Sequence, residues 1–487
     1  MRILLVDPPY ERLQGVRRQY FPWNLAQISA CVKAAEHDAV VYDGEASRDL
    51  SEVKHEAAQR RFDSYRSALS GHPVWDEFTE VLRQIQPDLV GISVMTPKEA
   101  SARRLADLVK AWQPTVPVVM GGPHATAMPE EVLGHANVDF VVLGEGEGAL
   151  ADIIALVEGG QEGKPLPNVW YRNQGDIVKG ERLLSNLDLD LLPMPDRGAL
   201  LTTKHYLPND LGLIMGSRGC PYGCTYCASR VMWGRRVRFR SVENILKEIR
   251  ATHETWGTEE FSFEDDSFTV NRKLVGEFCS RLRKEGPAIR WSAITRLDLL
   301  DEPSVLTMKK SGCTHLRVGV ETGSDRILKE VDKGMTVEQV RRGARILKHA
   351  GIYWSAYFMI GFPNETKADI QATMDLMREI EPHYCSLSIL TPYPGTPMFD
   401  LLKSRGLIPE HPDWSLFSHS SPHNHFCATI EAEAFARLAE EMARLVDQHN
   451  GSVLRLLRRA WGKRRTYWHH GGEVVKDLRR ALRWWRS

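Results

Sequence analysis

Twice along its 487 residues the sequence settles into the same rhythm: a short apolar run of strand length, then a longer stretch with apolar residues at helical spacing. That alternation restricts the fold more than any other feature, because strands joined through helices pair in parallel and need helices to cover the sheet. The first run fills the first 160 residues, with strands expected at 3–6, 39–42, 89–94, 116–120 and 140–143 and helices at about 24–36, 75–84, 99–112 and 147–158. A doubly wound, Rossmann-like α/β domain is expected over 1–165. Ligands of such sheets sit beyond the carboxyl ends of the strands. Here those ends read Asp7-Pro8-Pro9, Met95-Thr96-Pro97, Gly121-Gly122-Pro123-His124 and Gly144-Glu145-Gly146-Glu147. Each lets a ligand approach the backbone closely, although glycines at such places also serve plain tight turns. By itself His124 reads as a histidine on a surface loop.

The second run covers about 211–400, with strands expected at 213–216, 260–264, 289–294, 315–320, 353–360 and 384–390. Six strand and helix units fall short of the eight in a closed barrel, which takes about 250 residues, so a partial (β/α)6 barrel is expected. Between the runs, 166–210 holds a hairpin at 169–172 and 177–179, then a Leu-, Pro- and Asp-rich stretch that reads as a spacer. A polar insert at 46–71 reads as a helix or a loop over one edge, and 401–487 reads as a helical C-terminal region.

Composition narrows the class of protein. Lys plus Arg and Asp plus Glu are equal at 63 each, so bulk charge argues for no polyanionic partner, and no nucleic acid is expected. No stretch of 18 apolar residues occurs, and the start, Met1-Arg2-Ile3-Leu4-Leu5-Val6-Asp7, carries too short an apolar run for a signal peptide. A cytoplasmic location is expected. Eight cysteines are too sparse for a disulfide scaffold, and clustered thiols in a reducing compartment more often bind metal.

Three of those cysteines are clustered. Cys220, Cys224 and Cys227 lie in Ser217-Arg218-Gly219-Cys220-Pro221-Tyr222-Gly223-Cys224-Thr225-Tyr226-Cys227, directly after the first barrel strand. Structural zinc is the main metal alternative, but it usually takes four ligands in paired spacings, and no second pair lies nearby. Three thiolates on one loop hold three irons of a four-iron cluster and leave the fourth iron open to a ligand that is not a side chain. Cys31, Cys279, Cys313, Cys385 and Cys427 lie singly and read as buried or inert thiols.

The cysteine loop, with an aromatic residue, Tyr226, before its last cysteine, resembles that of the radical S-adenosylmethionine superfamily. The resemblance implies a [4Fe-4S] cluster that binds the amino and carboxylate groups of S-adenosylmethionine, reduces it and releases a 5′-deoxyadenosyl radical. Further segments match in order. Asp265 and Asp266, in Phe263-Glu264-Asp265-Asp266-Ser267-Phe268, stand where the superfamily places contacts to the methionine amine. Arg296 falls where a polar residue meets the carboxylate, and Glu321, in Gly319-Val320-Glu321-Thr322-Gly323-Ser324, is a further implied contact. Gly361 and Glu365, in Gly361-Phe362-Pro363-Asn364-Glu365-Thr366, match the run near the adenine, and Pro392-Tyr393-Pro394-Gly395-Thr396-Pro397 matches a motif that closes the barrel. Singly, Asp265 and Asp266 could cap a helix, and Glu321 could pair with Arg317 or Arg296.

With the doubly wound domain in front, the chain resembles the cobalamin-binding branch of that superfamily, which includes anaerobic porphyrin cyclases and hopanoid and antibiotic-pathway methyltransferases. The resemblance covers about 2–397 and implies cobalamin contacts from Asp7, Pro8, Thr96, Gly121, Gly122, His124, Gly144 and Glu145. One departure stands out. The Asp-x-His-x-x-Gly signature that gives cobalt a histidine is absent after the first strand, where the chain reads Asp7-Pro8-Pro9-Tyr10-Glu11-Arg12. The lower axial position is thus open or filled by another group. The reaction implied is methyl transfer to an unactivated carbon, or less often phosphorus, of a small-molecule or lipid-like substrate. Ring closure, oxidation or elimination is the alternative, and an external one-electron reductant such as flavodoxin or ferredoxin is the implied partner.

The tail departs from the neutral average: from Gly451 on, eleven Lys and Arg face only Glu473 and Asp477. Val475, Leu478, Leu482 and Trp485 recur at helical spacing beside Lys476, Arg479, Arg480, Arg483 and Arg486. A terminal helix packed on the protein and a basic helix lying on an anionic membrane surface both fit this pattern.

Overall fold

The computed structural model describes residues 1–15, 20–46, 58–160, 163–419, 421 and 424–451. Five parallel strands build the front sheet: β1 (Arg2–Asp7), β2 (Asp38–Asp43), β3 (Leu89–Ser93), β4 (Val118–Gly121) and β5 (Phe140–Val142). Their order, β2-β1-β3-β4-β5, reverses direction between β1 and β3, which opens a crevice at the carboxyl ends there. Each strand is nearly continuous in apolar residues because helices cover both faces: one face packs Leu4, Val6, Val90 and Ile92, the other Ile3, Leu5, Leu89 and Val119. The insert expected at 46–71 contains a helix, Ala58–Ser70, whose Tyr65 is buried against Tyr10 and bonded to Ser101.

Two sequence expectations need correction. The hairpin, β6 (Val169–Asn173) and β7 (Asp176–Lys179), is not a separate element before a linker but extends the front sheet antiparallel beyond β5. The three-residue β5 would otherwise leave an open edge, and Phe140 stacks on Tyr171 across the new pair. Nor is the stretch after it a plain spacer. Buried Arg197 donates to the carbonyls of Leu211 and Leu213, pairs with Glu248 at 2.8 Å and lies against the ring of Phe21, so this segment ties both sheets together.

The second sheet holds β8 (Leu213–Ile214), β11 (Glu260–Phe263), β12 (Arg290–Thr295), β13 (Cys313–Glu321), β14 (Tyr353–Ile360) and β15 (Tyr384–Ile389), all parallel and ordered along the chain. It is the expected open six-unit barrel. The short antiparallel pair β9 (Ser217–Arg218) and β10 (Arg238–Phe239) frames the cysteine loop. The helix Ala432–Gly451 closes the edge at β15, where the Asn450 side chain mimics a strand by accepting from the Cys385 N–H at 3.0 Å and donating to its carbonyl at 2.8 Å. The tail stripe of Val475 to Trp485 lies outside the described residues. No helix among the described residues is long and apolar enough to cross a membrane.

Candidate active site between the two sheets

The cysteine loop leaves β9 and is shaped by two glycines. Gly219 has φ +101°, and a Cβ there would lie 2.3 Å from the Arg236 carbonyl; a Cβ on Gly223 would lie 2.0 Å from the Asp332 carboxylate. Thr225 N–H donates to Val331 O at 3.0 Å, and Met398 N–H to Thr225 O at 3.0 Å, which pins the loop to two barrel turns. Burial pushes the Cys220 and Cys227 thiols up, Cys227 to about 12, and a bound cation reverses that by holding thiolates.

The spread of the thiols separates the two metal readings. Thiolates on one zinc lie about 3.8 Å apart, given Zn–S bonds of about 2.3 Å. Among the described residues, the His, Cys, Asp and Glu group whose ligand atoms lie within 4.8 Å of one another is Glu99, His124 and Glu131, so the three thiols do not converge that closely. A multi-iron core spaces its thiolates more widely than a single zinc does.

Around the loop, most of the barrel residues singled out in the sequence are engaged with the protein itself. Buried Asp265 accepts from Gly216 N–H at 3.0 Å and from the Ser217 hydroxyl, and Asp266 accepts from Ser229 at 2.8 Å. They brace the two ends of the cysteine loop rather than cap a helix. Burial raises Asp265 to about 6. Arg296 lies 3.6 Å above the Tyr222 ring, binds both oxygens of Asp298 at 3.0 Å and donates to Lys333 O at 2.8 Å.

Glu321 pairs with neither Arg317 nor Arg296. Arg317 binds Glu264, and the partner of Glu321 is Lys333, at 2.6 Å. Glu321 ends β13 at φ +67°, in a bulge where a Cβ on Gly319 would lie 2.3 Å from its carboxylate. Such a strained non-glycine residue is expected at working sites. Lys333 Nζ also lies 3.4 Å from the Tyr226 hydroxyl, which brings this ion pair to the cysteine loop. Glu365 is fully buried and accepts from the N–H groups of Gly361 at 2.6 Å and Phe362 at 3.2 Å, while its other oxygen has no partner. Burial raises it to about 8, and the carboxyl holds its own turn. The turn is stapled further by Asp369, which accepts from Thr366 and from Ser324 of the Glu321 segment.

Opposite the loop, a cavity of about 1010 Å³ lies between the sheets. Asp7, Thr96, Gly121, Gly122, Gly144 and Glu145 line it from the front sheet, and Ala228, Met232, Trp233, Ser386, Tyr393 and His419 from the barrel side. Pro8 and His124 do not line it. Gly122, at φ +102°, brings its Cα so near Val94 that a Cβ would lie 3.1 Å from backbone atoms. A broad, glycine-floored cavity at a sheet switch point suits a flat macrocycle. Asp7 is engaged by Lys98 at 2.8 Å, and Lys98 also reaches Glu45 at 3.1 Å. Burial alone would lower Lys98, but these two carboxylates hold it above its ordinary value.

His124 is corrected as well: it is wholly buried, edge-on to Trp414 at 5.0 Å, and burial lowers it to about 3. The proline pair after β1 supplies no histidine toward the cavity. Lys333, Lys98 and the Arg218–Glu147 pair escaped the sequence reading, since their partners lie 12, 91 and 71 residues away along the chain and no local spacing signals them.

Residues 16–154 match the B12 binding domain family and residues 214–377 the Radical SAM superfamily. The chain is 31% identical over 414 residues to an uncharacterized methyltransferase of Pyrococcus horikoshii, covering 84% of each chain. It is 28% identical to an anaerobic magnesium-protoporphyrin IX monomethyl ester cyclase of Rubrivivax gelatinosus, covering 82% of this chain and 70% of that one. Its fold is similar to that of the methyltransferase TsrM of Kitasatospora setae, solved with cobalamin and a [4Fe-4S] cluster bound, with TM-score 0.64, 19% identity and coverage of 83% and 78%. The loop of three cysteines, and the glycine-floored cavity that the segment after it helps to line, are those of a chain that belongs to the cobalamin-binding branch of the radical S-adenosylmethionine superfamily, with a [4Fe-4S] cluster, S-adenosylmethionine and cobalamin as its cofactors.

Proposed function

We propose that this protein transfers a methyl group to an unactivated carbon, or less often phosphorus, of a small-molecule substrate. Bound in place, the cluster with S-adenosylmethionine supplies a 5′-deoxyadenosyl radical, and cobalamin supplies the methyl group. One observation carries the reading: a single cavity takes its floor from the front-sheet strand ends and its opposite wall from 228–233, the segment that follows Cys227. Such a cavity holds one substrate between two reactive groups. Cys220, Cys224 and Cys227 hold the cluster, with Tyr226, Asp265, Asp266 and Arg296 bracing their loop. Glu321 and Lys333 present a charged pair to the amino acid part of S-adenosylmethionine, and the Gly361 turn, held by Glu365, faces its adenine. Asp7, Thr96, Gly121, Gly122 and Gly144 form the corrin side. Tyr20, Tyr393, Ser386 and His419 offer rings and hydroxyls to the substrate at the barrel end of the cavity.

Similarity to the cyclase favours a second reading, a non-methylating ring closure. Counting products separates the two. Methyl transfer yields S-adenosylhomocysteine together with 5′-deoxyadenosine; a non-methylating turnover yields 5′-deoxyadenosine alone and overturns the proposal. An electron donor of the flavodoxin or ferredoxin class serves as reductant. The basic tail after Gly451 suits an anionic lipid surface and a lipid-like substrate; if its removal leaves sedimentation with anionic liposomes unchanged, that part fails.

A further inference from the structure

Arg218 stands on β9, two residues before Cys220, with its side chain 4% exposed. Its two terminal nitrogens donate to different acids of the turn after β5, one to Glu145 at 2.6 Å and one to Glu147 at 2.5 Å. The guanidinium carbon lies 5.9 Å from the ring of Trp23 of the front domain and 5.3 Å from that of Trp233 on the cavity's barrel side. Arg238, directly opposite Arg218 in the β9–β10 pair, binds the second oxygen of Glu145. The acids come from the same turn whose Gly144 and Gly146 line the cavity floor.

We propose that Glu145 and Glu147 are positioning residues: they clamp Arg218 and so set the spacing and orientation of the cluster loop relative to the corrin floor. This rests on the cobalamin-binding reading above and replaces the role of corrin contact that the sequence suggests for Glu145. Both oxygens of Glu145 are spent on arginines, which leaves its carboxylate poorly placed to hold a corrin amide. Forked, charge-assisted pairs taken out of water are stiff and little screened by salt. Cys220 lies within about 7 Å of chain from Arg218, so the clamp's position passes almost directly to the first cluster ligand. Radical capture needs its reacting groups placed closely, and a shift of about 1 Å can cost about a hundredfold in rate.

The test uses the full-length holoenzyme carrying hydroxocobalamin, reduced so that cob(II)alamin and the cluster are both paramagnetic. The cluster then accelerates the spin relaxation of cob(II)alamin, an effect that falls steeply with distance. The E145Q/E147Q variant should keep about four irons and bind hydroxocobalamin within about twofold of the unchanged protein, while the relaxation enhancement weakens and spreads. Amide exchange over 217–227 should rise by about tenfold or more. E145D/E147D, which keeps the charges, should restore part of both signals. The clamp is overturned if relaxation and exchange stay as they were, or if E145Q alone weakens cobalamin binding by about tenfold with exchange unchanged, which makes Glu145 a corrin contact. Should the double variant not fold, Arg218→Lys, which keeps the charge and loses the fork, is measured in its place: weakened relaxation with faster exchange supports the clamp, and no change in either overturns it. If the unchanged protein binds no hydroxocobalamin, the cobalamin reading fails by itself, and the exchange comparison still decides the clamp.

Discussion

Removing Lys333 would test whether the strained end of β13 is held by charge. Lys333 and Glu321 are both buried, 2.6 Å apart, and Lys333 has the carbonyls of its own turn tied down by Arg296. Lys333→Met leaves the Glu321 carboxylate buried without its cation, which typically costs 3–5 kcal/mol, with about 3 kcal/mol expected here because neither residue is completely sealed from solvent. At about 1.4 kcal/mol per tenfold, that is an increase of about a hundredfold in local opening, read by amide exchange over 319–335. Lys333→Met with Glu321→Gln removes both charges and should recover most of the loss, because a buried pair is worth little against neutral groups of similar size. Burial alone would lower Lys333, but Glu321 more than reverses this and raises it. The stabilisation from a raised base is complete below its unfolded value and disappears only as pH climbs through the folded one, so the contribution from the Lys333 titration itself should be constant from about pH 6 to 9. The double variant should nevertheless bind no S-adenosylmethionine. An increase in exchange below about fivefold in the single variant, or no recovery in the double, would refute the reasoning.

Three further outcomes follow from the site. Glu365→Gln should stabilise the protein increasingly as pH rises from 5 to 8: the folded carboxyl, raised from 4.5 to about 8, keeps a proton that the unfolded chain releases, worth up to about 1.4 kcal/mol per pH unit, and a pH-independent difference in unfolding would contradict this. Cys224→Ala should lose the cluster and all cleavage of S-adenosylmethionine from a protein that otherwise carries about four irons, and an intact cluster would refute the ligand assignment. Cob(II)alamin bound to the protein should show no nitrogen splitting in its paramagnetic resonance, because the Asp7-Pro8-Pro9 turn offers no histidine; clear splitting would mean that another group reaches cobalt.

Local spacing along the chain was enough to reveal both sheets and the cysteine loop. Strand and helix alternation placed the parallel sheets, since continuous apolar runs such as Ile3-Leu4-Leu5-Val6 must be buried on both faces, and the three cysteines declared their loop. Which charges meet was settled by the packing of the two sheets. Glu321 could have paired with Arg317 or Arg296, yet the bulge at Gly319 turns it toward Lys333, and Arg317 goes to Glu264. His124 became a core residue because Trp414, far along the chain, covers it. Gly144-Glu145-Gly146-Glu147 reads as a strand-end ligand motif, but its acids face Arg218 and Arg238 once the two sheets come together. A buried ion pair is fixed by the packing that brings its partners out of water, and that packing has no period along the chain.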